Sequence, residues 1–430
     1  MVLMRTGSYR YDFYSSSLIP PSRFCPRGGT WPHILVPATG MNSVSSSPSN
    51  DRLPDEIELL FLGTGTSSSV PYLDCLTAPP HKKPCKTCLS TLNLEGKKNI
   101  RRNTSVALRV TGKDQKKTTI VIDVGKNFQA AAVEWFPKFG LREIDAILIT
   151  HAHADAMNGL DDLRGWTLRN AIQECLDIYV SEDTFREVKR SFPYLVSKEF
   201  ASGGGDVPDF KWHIIEDKVP FEIKDTGLWV TPFLVQHGRL FTNNAIPTFA
   251  PSPFTTQPAT PLTSGRSSPR PTEGLVPEVQ PYWCFGFMIQ QSIVYMSDVS
   301  HIPEDAWTII ESGKRKSVLV VDCLRLRPHT SHMGIQEAAT TIRRLDAERN
   351  YLIGFNHDLL HDEWVTIGKA VGYGPVENTA DMTKPVYAGV KMIREGKVDG
   401  KGHWVRPSHD GLRVFMWRNG IVRDETYDEM

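Results

Sequence analysis

Two histidines one residue apart, His151 and His153, are followed by Asp155 in "AILITHAHADAMNGLDDLRGW", which runs from Ala146 to Trp166. The apolar, β-branched run before them ends at Thr150. His237 stands just after "TPFLVQ" and Asp298 just after "SIVYMS", again where strand-like runs stop. Strand ends are rigid, so side chains there are held at fixed geometry. Imidazole nitrogen and carboxylate oxygen bind zinc at roughly 2.0–2.2 Å, and a catalytic site keeps one position open to water. One such histidine alone is more often a hydrogen-bonded or exposed residue; the string His-Ala-His-Ala-Asp is what points to a metal. A second cluster lies upstream, where Cys85 and Cys88 form "CKTC" and Cys75 precedes them. In a reducing compartment such thiols read as metal ligands or a redox pair rather than a bridge.

The remaining composition is that of an ordinary globular chain. It has 430 residues, 40% of them hydrophobic and 23% charged, with formal net charge zero. This is long enough to bury a large core. Zero net charge gives no global electrostatic case for nucleic acid or an anionic membrane. No apolar run reaches the roughly 18 residues of a membrane helix, so no membrane association is expected. Seven cysteines are too few and too irregular for a disulfide scaffold. Without an evident secretory signal, a cytoplasmic location is expected, with nuclear or mitochondrial location as alternatives. The Ser/Pro/Arg-rich residues 1–50 hold one acidic residue, Asp12, and are expected to be disordered. Met41 could serve as a start. A Pro/Ser/Thr-rich block at about 241–280 reads as a disordered loop inserted between strands, with "SSPR" and "ATPL" as candidate phosphorylation sites.

Between these blocks, strands and helices mix. "IELLFLG", "TTIVIDVG", "IDAILIT", "LDIYVS", "WHIIE", "GLWVTPFLV", "SVLVVDCL", "NYLIGF" and "GLRVFMW" read as strands. "FGFMIQQSIVYMSDVS" reads as a hairpin turning near Gln290 and Gln291. "FQAAAVEWFPKFG", "NGLDDLRGWTLRNAI" and "GIQEAATTIRRLDAE" read as helices. Hairpin pairs with helices interspersed argue for two face-to-face sheets covered by helices, not a doubly wound parallel sheet. The candidate ligands spread from Cys75 to His357, so 51–430 is expected to be one domain.

Taken in order, "FLGTGTSSSVP", "VIDVG", "ITHAHADAMNGLDDLR", "LVQHG", "MSDVS" and "SHMG" resemble the metallo-β-lactamase superfamily. Within it they most resemble the branch of the phosphonate-operon cyclic-phosphate phosphodiesterase. The resemblance covers nearly everything from about Ile57, minus the Pro/Ser block, and implies a four-layer αββα sandwich with the metals at one edge. It implies that His151, His153, His237 and Asp298 hold one ion, and that Asp155 and Asp298 belong to a second. The motif His-x-His-x-Asp-His ends here on Ala156, and the late ligand position in "LIGFNH" falls on Gly354. Both losses fall on the second ion, so a mononuclear site, or a weak and water-rich second one, is expected. The resemblance further implies a structural zinc on Cys75, Cys85, Cys88 and His357, with His81 as the competing ligand. Cys175, Cys284 and Cys323 read as core, and Cys25 falls in the N-terminal block.

These readings imply one active-site zinc, with manganese allowed, and one structural zinc. Zinc lowers the pKa of its bound water to about 7, so hydroxide is the expected nucleophile. Asp155 would orient it, and His332, at a helix start, would act as general acid. Arg325 and Arg327 are weaker candidates for phosphate contact. "GTGTSSS" lacks the Lys-Ser/Thr of a phosphate-binding loop. The expected activity is hydrolysis of a small phosphodiester or cyclic phosphate. The alternatives are a thioester or other acyl hydrolase, or a catalytically reduced metal-binding protein. No extended basic arm for transfer RNA is present, and a homodimer is compatible with the chain.

Overall fold

The computed structural model describes residues 36–37, 56–111, 116–203, 206–224, 226–240, 280–372, 382–395 and 401–427, all within one unit, Ile34–Met430. Apart from the two-residue strand at Val36–Pro37 and Gln280, the two blocks expected to be disordered lie outside these residues, as does Cys25.

The first sheet takes β1 (Val36–Pro37), β2 (Glu56–Gly63), β3 (Ser105–Thr111), β4 (Lys117–Ile122), β5 (Ala146–Leu148), β6 (Leu176–Val180) and β7 (Phe210–Ile214). The second takes β8 (Phe221–Glu222), β9 (Trp229–Arg239), β10 (Pro281–Ile289), β11 (Ile293–Met296), β12 (Val318–Asp322), β13 (Arg349–Ile353) and β14 (Val405–Pro407). The chain then returns to the first sheet with β15 (Arg413–Trp417) and β16 (Val422–Asp424). The orders are β1-β7-β6-β5-β4-β3-β2-β15-β16 and β14-β13-β12-β11-β10-β9-β8.

Each sheet is half antiparallel and half parallel, more mixed than the sequence suggested. β2, β3 and β4 pair antiparallel, whereas β4, β5, β6 and β7 run parallel. In the second sheet β8 to β11 are antiparallel and β11 to β14 parallel. Parallel neighbours need long crossovers. The helices Phe128–Phe139, Glu182–Ser191, Ile335–Leu345 and His361–Val371 supply them. The β10–β11 hairpin turns where the sequence placed it, with φ of +50° at Gln290 and +51° at Gln291. Two consecutive residues at positive φ form the turn whose twist matches paired strands.

Alternation along the strands builds the layers. Ile57, Leu59 and Phe61 of β2 face a core shared with Phe285 and Phe287 of β10 and Tyr351 of β13, between the sheets. Leu60 and Leu62 face outward onto Phe128 and Trp135 of the first helix layer. On the far side of the second sheet, Leu319, Val321 and Leu352 meet Ile342, Trp364 and Val390 of a second helix layer. The fold is a four-layer αββα sandwich. One element differs: the helix expected over Asn158–Ile172 is a series of short helical turns. Arg169 and Asn170 at positive φ break it.

Candidate metal centre

The strand ends bring the expected ligands together. His151 and His153 follow β5, and the short helix Ala154–Met157 opens immediately after them. That segment packs tightly on "VIDVG": a Cβ at Gly125 would lie 2.0 Å from the Asp155 carbonyl oxygen. Only glycine permits this approach. His237 lies near the end of β9, and Asp298 follows β11.

The tautomers follow from the partners. The Asp123 carboxylate accepts the Thr150 amide and its hydroxyl, each at 2.8 Å. Thr150 Oγ1 lies 2.8 Å from His151 Nδ1; with its proton committed to Asp123 it accepts from that nitrogen. His151 Nε2 is therefore a lone pair, and it is buried without a hydrogen-bond partner. His237 Nδ1 donates to the Ser331 carbonyl at 2.7 Å, which leaves its Nε2 as a second lone pair. His237 Nε2 is 3.2 Å from His153 Nδ1. Asp298 Oδ2 is 3.7 Å from His151 Nε2 and 3.6 Å from His237 Nε2. Ligands on a zinc tetrahedron stand about 3.4 Å apart, so these separations fit one divalent ion.

Electrostatics agree with that fit. Burial pushes His151 well below its usual range and His237 down to about 4, so both rings are neutral at pH 7. Against the cost of burial, the neighbouring His332 cation holds Asp298 below the usual carboxylate range. Burial, then the neighbouring Asp298 charge, pushes Asp155 up to about 7. Asp155 is buried beside this centre but belongs to none of the tight ligand clusters among the described residues.

His332 sits before the helix Ile335–Leu345, clustered with His237 and Asp298. Its Nδ1 is 2.8 Å from Asp322 Oδ2, on a carboxylate with no exposed surface. Burial disfavours the His332 cation, but Asp322 outweighs it and lifts the ring to about 9. Asp322 also accepts the Val299 amide at 3.2 Å. Its Oδ1 has no hydrogen-bond partner. It lies 2.2 Å from where a Cβ on Gly354 would stand, and Gly354 has φ +79°. The space beside Gly354 is thus filled by the Asp322 carboxylate.

The thiols also converge. Cys75, Cys85 and Cys88 Sγ lie 3.3, 3.7 and 3.4 Å from His357 Nδ1. For thiolates at about 2.3 Å and imidazole at about 2.05 Å a tetrahedron gives about 3.6 Å. His81 is not in this cluster. Arg101, wholly buried, holds the loop beneath it, donating to the carbonyls of Asn356 and Leu359.

Sequence reasoning overlooked Asp123, Thr150, Asp322, Ser331 and Tyr282. Asp123 and Asp322 carry the same strand-end signal as Asp298, in "VIDVG" and "VLVVDCL". Arg325 bonds to backbone carbonyls of its own loop, and His329 to Ser331. His301 pairs with Gln236. His361 bonds to Tyr427.

The profile of the beta-lactamase superfamily domain matches residues 118–251 and 248–355. The chain belongs to that superfamily. Its fold is similar to that of a diphosphatase from the PhnP family, at TM-score 0.53 and 21% identity, covering 84% of this chain and 97% of that one. The metallo-β-lactamase fold protein YhfI of Bacillus subtilis covers 83% and 98%, at TM-score 0.45 and 11% identity. An octanoyltransferase of Porphyromonas gingivalis (strain ATCC BAA-308 / W83) is 25% identical over 310 residues, 72% of this chain. The chain spans about half the length of that curated relative, 48%. Among the described residues, no helix is long and apolar enough to cross a membrane.

Proposed function

We propose that the protein is a metal-dependent phosphodiesterase that hydrolyses a small phosphodiester or cyclic phosphate with one active-site ion. The observation that carries this reading is the asymmetry of the site. His151, His153, His237 and Asp298 converge at ligand spacing. Ala156 and Gly354 offer nothing to a neighbouring ion, and Asp322 fills the space beside Gly354. Zinc fits the donor set, with manganese as the substitute, and when bound it supplies Lewis acidity and an acidified water. A second zinc on the Cys75, Cys85, Cys88 and His357 cluster fastens the loop between β2 and β3 to the end of β13.

The side chains divide the proton work. Asp155 accepts a hydrogen bond from the attacking water and orients it. His332 donates from Nε2 to the leaving oxygen, while Asp322 holds Nδ1 and keeps the ring protonated at neutral pH. An alkoxide needs such an acid. A thiolate, with a pKa near 8.5, leaves without one, which favours the phosphodiester over a thioester. A second reading, an acyl bond, has the octanoyltransferase likeness behind it.

Turnover of bis-p-nitrophenyl phosphate against an acyl ester separates the two readings. Silence on both, with metal bound, would favour a protein that only binds metal. General acid catalysis is worth about 10²–10⁴. His332→Ala should therefore lose that much on an alkyl phosphodiester and far less on the p-nitrophenyl ester, whose leaving group needs little protonation. Equal losses on both esters would remove the assignment.

A further inference from the structure

We infer that Tyr282 is the positioning residue of the ligand His153, replacing with its ring the hydrogen bond that orients each of the other two imidazoles. The inference rests on the metal reading above. Imidazole ligands are normally fixed through their second nitrogen by an outer hydrogen bond. His151 has Thr150 for this purpose and His237 has the Ser331 carbonyl. His153 is the exposed member of the set, and among the described residues no side chain or carbonyl is bonded to its Nε2. Left alone, its ring would turn about its side-chain torsions and carry Nδ1 out of the cluster.

Tyr282 prevents this. Its ring lies parallel to that of His153, 4.5 Å between centroids and 4° between planes. It meets His151 and His237 edge-on, at 6.2 and 6.0 Å. The stack is therefore on His153, with the other two imidazoles at its border.

The backbone aims Tyr282 by an irregularity. β9 and β10 pair Trp283 with Gln236 but Pro281 with Arg239. Three steps on β9 therefore face two on β10, and His237 and Gly238 together oppose Tyr282. Such a bulge redirects side chains next to a site. Here it gathers His237 and Tyr282 around His153. Gly238 supports it at φ +75°, with its amide on Ser300 Oγ at 2.9 Å.

The test is zinc competition against a chromophoric chelator on the full chain, with the active-site class defined as the one lost in His151→Ala. Tyr282→Leu should weaken that class about tenfold, the scale of an aromatic stack or an outer ligand partner. The class held by the cysteines should be unchanged. Tyr282→Phe keeps the ring and should stay within about twofold of the parent. Thermal melting of the metal-free variants guards against simple misfolding. Parent-like affinity in Tyr282→Leu would overturn the inference, as would an equal loss in Tyr282→Phe, which would put the effect on the hydroxyl. A parent chain with no zinc class sensitive to His151→Ala would instead overturn the metal reading, and the inference with it.

Discussion

Gly354→Ala places a methyl group where Asp322 Oδ1 already stands. The added Cβ would be 2.2 Å from that oxygen, and the backbone there has φ +79°. The left-handed conformation alone costs an L-residue about 1–2 kcal/mol. The oxygen must also retreat by about 1 Å to reach ordinary contact. It cannot retreat freely, because the same carboxylate holds His332 at 2.8 Å and the Val299 amide at 3.2 Å. Full rupture of a buried ion pair costs about 3–5 kcal/mol, and a forced shift takes part of that. The expected loss is about 2–5 kcal/mol in equilibrium urea unfolding. In an Asp322→Ala background the obstruction is gone, so Gly354→Ala should cost only about 1–2 kcal/mol. The same loss in both backgrounds, or less than about 0.5 kcal/mol in the parent, would refute the reasoning. The point extends to function: a histidine at 354 meets the same obstruction, so Ala156→His with Gly354→His should not create a second tight ion site.

Other perturbations reach different parts of the account. Cys88→Ser should release one zinc per chain and speed amide exchange across Tyr72–Asn99, read by hydrogen-exchange mass spectrometry; unchanged exchange would show that the thiols do not fasten that loop. His409 is buried, its Nδ1 on the Asp410 carbonyl and its Nε2 on Thr426, and burial lowers it from 6.5 to about 4. Its unfolded form binds a proton first, so stability should fall as pH drops from about 6.5 to about 4, by about 3 kcal/mol. His409→Gln should flatten that slope in urea midpoints taken across this range, and an unaltered slope would assign it elsewhere.

The candidate ligands were legible because they sit at the ends of apolar β-branched runs, where one residue's position fixes its geometry. The Cys3His set was legible only through resemblance, since Cys75 and His357 are distant in the chain and meet through the loop that Arg101 holds. Tyr282 carried no sequence signal. Its role depends on a bulge between β9 and β10, and a bulge is a property of two paired strands rather than of either alone. The Asn158–Ile172 segment misled because its apolar spacing is helical while Arg169 and Asn170 adopt positive φ. The parallel halves of the sheets were missed because adjacent strands such as β12 and β13 are separated by a helix and pair only in three dimensions.

Metal content per chain tests the mononuclear centre most directly. Protein purified without added metal should carry two zinc ions. His151→Ala with His153→Ala should carry one, retained by the cysteines, and Cys85→Ser with Cys88→Ser should carry the other. Three tightly held ions in the parent chain, or two still present in the double histidine variant, would contradict the account.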